Sequence, residues 1–187
     1  TTLFGDSGDT FTIPSGATFT NSGTATGFGG GKVLQVVQTR WDGVSSSSST
    51  SFTATPLTSF QRTITPSATT SNIIIQGVLH LCHSTELSHL YGQMYRDTTQ
   101  INMGDQLGSN RLRGSWNLKR GDNGGALVPV PFFYYDTEIA TTSEVTYSFK
   151  IANNSGTAYF NQDDQGTDTT TYMTTSSTLI CIEIDGS

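Results

Sequence analysis

The chain of 187 residues carries 9 basic and 15 acidic side chains, a formal net charge of −6, and only 13% charged residues, against about 25% in typical soluble domains. Its polarity comes instead from 32 Thr and 22 Ser, joined by 20 Gly, a composition suited to pleated strands and turns. Nine scattered cations argue against a nucleic-acid binder, which needs many phosphate-neutralising groups, and no run of about 18 apolar residues exists to cross a membrane as a helix. The opening TTLFGDSGDT lacks the basic and apolar regions of a secretory signal, so none is expected.

In chain order, within the N-terminal segment 1–31, residues 6–31 break on glycine into TFTIPSG, ATFTNSG and TATGFGG, with Gly16, Gly23 and Gly30 evenly spaced. Short units of this kind cannot bury a face alone, which predicts a slender β-structured stalk that needs partner subunits. Residues 32–187 form the predicted β-domain. KVLQVVQTRW (32–41) has the density of a buried strand, the serine run 45–49 reads as a flexible loop, and FTATPLTSFQRTITPS gives a second strand ending at Pro66. The most apolar stretch, SNIIIQGVLHLCH (71–83), is predicted as a central strand. LYGQMYRD and TTQINMGD predict a hairpin turning at Asp97–Thr98, and a polar loop covers 108–123. ALVPVPFFYYD (126–136) is a strand whose two prolines place it at an edge or a bulge. EVTYSFKIANN, GTAYFNQDD and TLICIEID complete the set. Strands recur between Gly, Asn, Asp and Ser turns with no 3.6-residue apolar period, which predicts an all-β antiparallel sandwich or jelly roll. Cys82 and Cys181 lie in apolar strands without a CxxC spacing and read as buried free thiols.

Most motifs with a chemical flavour fail on geometry. GDSGD (5–9) resembles a nucleophile context but has no base and acid folded around it, and GFGGGKV (27–33) lacks the phosphate-loop spacing, so it reads as a glycine hinge. HLCHSTELSH offers His80, Cys82, His83, Glu86 and His89 without a zinc spacing, although threefold symmetry could gather one histidine per chain on an axis. Asp163, Asp164 and Asp168 in NQDDQGTD lack the alternation and terminal Glu of a calcium loop, and adjacent strand carboxylates cannot flank one glycosidic bond. No catalytic residue, metal site or cofactor is therefore expected. The cluster that stands out is RLRGSWNLKRGDN (111–123), which concentrates Arg111, Arg113, Lys119 and Arg120 around Trp116. A Trp face can stack on a sugar while Arg forks hold a carboxylate or phosphate, which makes an anionic host-surface glycan the candidate ligand. The competing reading has Trp116 closing the core and the arginines pairing with neighbouring subunits.

The segments TIPSGATFTNSG (12–23), GGGKVLQVVQ (29–38), TITPSATTS with III (63–71 and 73–75), GTAYFN (156–161) and STLICIEI (177–184) resemble the C-terminal modules of bacteriophage tail-fibre and other virion surface proteins, of the marine and cyanobacterial phage type. All are framework signatures. The resemblance implies a non-enzymatic virion structural protein, trimeric, attached to other virion proteins through the N-terminal segment and active in host attachment. A capsid decoration or collar protein without receptor binding is the alternative, and a small glycan hydrolase, lacking a placed carboxylate pair, is the least supported.

Overall fold

The computed structural model describes residues 15–16, 32–54, 57–85, 87–119, 125–164, 170 and 173–186. The predicted stalk over 1–31 lies outside these residues apart from Ser15 and Gly16, and Glu86, Arg120 and Asp168 lie outside them too. Eleven strands follow in order: β1 (Val33–Trp41), β2 (Ser45–Ser47), β3 (Arg62–Ile64), β4 (Asn72–His83), β5 (His89–Arg96), β6 (Thr99–Ile101), β7 (Trp116–Lys119), β8 (Val128–Asp136), β9 (Val145–Asn153), β10 (Ala158–Phe160) and β11 (Ser177–Ile184). No α-helix occurs among the described residues.

All pairings are antiparallel. The first sheet runs β1-β11-β4, with β8 on the other side of β4 and the short β10-β2 pair beside its C-terminal end. The second runs β3-β9-β5, with β6 and β7 sharing the far edge of β5. The long strands β1, β4, β8 and β11 thus interleave with β3, β5 and β9 of the opposite sheet, the double Greek-key order of a jelly roll. Between the sheets, Ile73, Ile75 and Leu79 of β4 and Leu179 of β11 share one core with Leu90, Met94, Phe149 and Ile151. Phe60, from the connection before β3, sits at its centre, with ring centroids 6.0 Å from Trp41, 6.1 Å from Phe132 and 5.5 Å from Phe149. Each such ring contributes about 1.5–3 kcal/mol by leaving water.

Local chemistry explains the strand limits. Asp97 takes φ 52° at the β5–β6 turn, where its Oδ1 accepts the Thr146 N–H at 2.8 Å, so the predicted hairpin forms where the sequence placed it. Among the described residues β8 pairs only with β4, and a proline cannot donate to a ladder, so Pro129 and Pro131 blunt an edge. Both cysteines are buried and neither is in a disulfide, and burial pushes the Cys181 thiol up to about 12, with Arg62 opposing. Two expectations change. The serine run is not wholly a loop, because Ser45–Ser47 pairs with β10 and Asn153 Nδ2 donates to the Ser47 carbonyl at 2.8 Å. The strand expected across 52–67 contracts to β3, because Leu57 and Phe60 turn inward on the bonds Leu57 N to Ala54 O (2.8 Å) and Phe60 N to Leu57 O (2.9 Å).

Candidate functional site

β5 alternates cleanly. Leu90, Gly92 and Met94 face the core, which leaves His89, Tyr91, Gln93 and Tyr95 on the outer face of the second sheet. On the same edge of β5, β6 and β7 are separated by a loop over 102–115. Ser115 closes that gap: its N–H donates to Gly92 O (2.8 Å), its Oγ accepts the Met94 N–H (2.9 Å) and donates to Ile101 O (3.3 Å). The loop is fastened further along its length. Arg113 Nε donates to Gly104 O at 2.7 Å, Gln93 Nε2 to Arg113 O at 2.9 Å, and Gln106 Nε2 to Arg111 O at 3.2 Å. The backbone at Arg113 is therefore tied to the sheet, and that at Arg111 to the loop itself.

Two adjoining hollows lie between this loop and the strand. The inner one, of about 290 Å³, is lined by Tyr91, Asp105, Leu112, Arg113, Trp116 and Asn117 among others. The outer one, of about 490 Å³, is bordered by His89, Tyr91, Asn110, Arg111, Leu112 and Asn117. Tyr91, Leu112 and Asn117 line both, so the hollows form one groove. The His89 and Tyr91 rings lie parallel, 4° apart with centroids at 5.8 Å, and His89 Nδ1 meets Asn117 Oδ1 at 3.2 Å. Lys150, across the strand from Gln93, sits 4.2 Å over the Tyr95 ring. Neither Arg111 nor Arg113 forms an ion pair with a described residue. The groove thus offers two exposed guanidinium groups, an aromatic pair and two amides, with Asp105 the one acidic residue among its described lining.

The four described members of the expected cluster divide. Arg111 and Arg113 border the groove, and Lys119 lies exposed beside His89 in the β5–β7 register. Trp116 pairs with Gly92, is half-buried and packs against the core. A Cβ at Gly92 would lie 1.9 Å from Trp116 Cε2, so the indole rests directly on the strand backbone, and its Nε1 is buried with no acceptor among the described residues. The indole thus lies on the core side of the sheet, and the aromatic face on the outer side belongs to Tyr91. Gly92→Ala is therefore expected to lift the indole, costing about 1–3 kcal/mol as an overpacked site does. Tryptophan fluorescence and urea denaturation check this, and an unchanged spectrum would refute the contact. Tyr91, Asn110 and Asn117 were not singled out from the sequence; the period-2 pattern of HLYGQMYR was the available signal for Tyr91.

The histidines do not assemble within the chain. His80 and His83 belong to β4 of the first sheet, whereas His89 opens β5 of the second. His83 is buried, its Nδ1 accepting the Thr85 N–H at 3.0 Å. Asp164 packs against the backbone at Gly125. No group of three or more His, Cys, Asp or Glu suited to a metal ion occurs among the described residues.

No protein-family model matches the chain, and no curated protein does. Among solved structures it is similar to the VP2 subviral particle of infectious bursal disease virus, at 14% identity and a TM-score of 0.46, covering 83% of this chain and 33% of that one. T=1 particles derived from the same virus give 14% identity, a TM-score of 0.47, and coverage of 93% and 36%. The Gt strain structure gives 14%, 0.44, and coverage of 92% and 42%. The chain spans well under half the length of these proteins, and no residue or role is carried over from them.

Proposed function

We propose that the chain is a non-enzymatic structural protein of a virus particle surface, a fibre or spike component that assembles as a homotrimer and contacts an acidic host-surface glycan. The framework segments that resemble phage fibre modules support the virion placement, with residues 1–31 joining other virion proteins. One observation carries the binding role: Arg111 and Arg113 meet Tyr91 and His89 along a single open groove. Guanidinium forks suit a sugar carboxylate, and a tyrosine face suits the apolar side of a pyranose ring. Lys119 extends the cationic border, and Arg120 follows it in the chain.

A uronate- or sialate-bearing oligosaccharide titrated into the full chain should perturb the resonances of Tyr91 and His89. Arg111→Ala/Arg113→Ala is expected to weaken that binding at least about tenfold, the loss of a charge-assisted pair, while leaving the fold unchanged. Equal binding of a neutral sugar, or an unaffected double variant, would sink the reading. A decoration or collar subunit is the second reading, favoured by the broad apolar outer face of the first sheet. Immunogold labelling of particles separates a projecting protein from one lying on the shell.

A further inference from the structure

The outer face of the first sheet carries side chains that the core does not use. Successive registers place Val36 of β1, Ile182 of β11, Ile74 of β4 and Tyr135 of β8 in one row across four strands. The next row is Gln38, Ile180, Gln76 and Phe133, and the one after it Arg40, Thr178, Val78 and Pro131. On the other side, Val33 and Ile184 extend the apolar surface toward Asn72. Val36 is 58% exposed, Phe133 62% and Tyr135 44%. Arg40, at a corner and 4.0 Å from Asp42, is the only charged residue in these rows.

We propose that this face is an interface with a second copy of the chain. Size is the first argument. Four strands about 4.8 Å apart and seven residues at about 3.4 Å each make a face of roughly 19 by 24 Å, on the order of 450 Å² in projection. Side-chain relief raises the coverable area toward the roughly 800 Å² per partner of a standard interface, and patches of several hundred Å² are often functional. Charge is the second. In a chain of net charge −6, a face free of carboxylates lets two copies meet without burying like charge. A strongly charged partner would find only the corner Arg40, already beside Asp42, to pair with. The edges supply the third argument. Prolines blunt β8, and β1 is roofed by Gln35 Nε2 bonding Thr65 O (2.7 Å) and Thr39 Oγ1 bonding Gln61 O (2.8 Å). Strand addition at either edge is thereby hindered, and the route left to association is packing of this face against another surface of the neighbouring copy, the heterologous contact that closes a trimer.

The inference rests on the self-assembly in the reading above and assigns its surface. Light scattering of the full chain should give a multiple of 20.0 kDa. Val36→Lys/Phe133→Lys, at two exposed positions, should reduce it to a single chain with an unchanged circular dichroism spectrum. Should the charged pair disturb folding, Val36→Gln/Phe133→Gln is read the same way, as a rise of at least about tenfold in the dissociation constant. A wild-type mass of one chain would overturn both the surface and the assembly. An oligomer that survives folded forms of these variants would overturn the surface alone and leave the assembly standing.

Discussion

Replacing Asp136 by alanine is expected to cost about 3 kcal/mol of folding stability, the lower end of what removing one member of a buried ion pair costs. Asp136 ends β8 in the first sheet and is wholly buried. Its Oδ1 lies 2.7 Å from Arg96 Nη1, at the end of β5 in the second sheet, and also accepts the Glu138 N–H at 3.2 Å. Its Oδ2 accepts the Tyr147 hydroxyl at 2.8 Å, from β9 of the second sheet. Burial first, and then the adjacent carboxylate, push the Tyr147 phenol well above its usual range, so its O–H stays a donor. One carboxylate therefore joins the two sheets twice.

Alanine leaves the Arg96 guanidinium without its partner, and the side chain is only 14% exposed. It also leaves the buried Tyr147 hydroxyl without an acceptor. These two losses, and not the small change in apolar area, set the size of the effect. Urea unfolding should show the midpoint falling by about 1–2 M at an ordinary slope for a chain of this size. Asp136→Ala in the Arg96→Met/Tyr147→Phe background should cost much less, because the orphaned groups are gone. A loss below about 1 kcal/mol in the native background would show that the pair is not what joins the sheets at this end.

The all-β class and most strands were legible because alternation, turn residues and β-branched side chains act locally. The prolines of VPVPFF marked an edge because a missing N–H is a property of the residue itself. The serine run misled because its strand character comes from β10, a partner more than 100 positions away in the chain. The inward face of β11 was not legible for a different reason. STLICIEI is apolar on both faces, since Ile180, Ile182 and Ile184 alternate with Leu179, Cys181 and the buried Glu183. Nothing within that segment says which set points inward. The groove was half legible. Arg111 and Arg113 stood out as charge in a chain poor in it, while Tyr91 joins them only through the pairing of β5 with β7. The role of Trp116 turned on Gly92, a residue whose importance is a missing Cβ.

Glu183 gives the second large effect, and it depends on pH. In the inner row that runs Asp136, Ile73, Glu183, Gln35, it is wholly buried, and no cation among the described residues pairs with it. Four donors surround it instead. Oε1 accepts the Ser67 N–H and the Ser71 hydroxyl, both at 2.6 Å, and Oε2 accepts Gln35 Nε2 at 2.6 Å and the Ser67 hydroxyl at 3.1 Å. Burial is the largest single influence and acts to raise the carboxyl pKa. The bonds from Ser71, Gln35 and Ser67 together outweigh it and hold the pKa below the ordinary 4.5. A folded-state value below the unfolded one contributes stability that is fully present above pH 4.5 and is lost as the pH falls through the folded value. Glu183→Leu should cost about 3 kcal/mol at pH 7, because it leaves the buried Ser71 hydroxyl, the Ser67 N–H and one N–H of the Gln35 amide without this acceptor. Glu183→Gln, which keeps the shape but sets an amide NH2 against these donors, should cost less at pH 7. Measured by urea unfolding across pH 7 to 3, the gap between wild type and Glu183→Gln should close on the acid side. Other carboxylates titrate alike in both proteins and drop out of the difference. A gap that stays constant down to pH 3 would mean that the cage does not favour the ionised carboxylate.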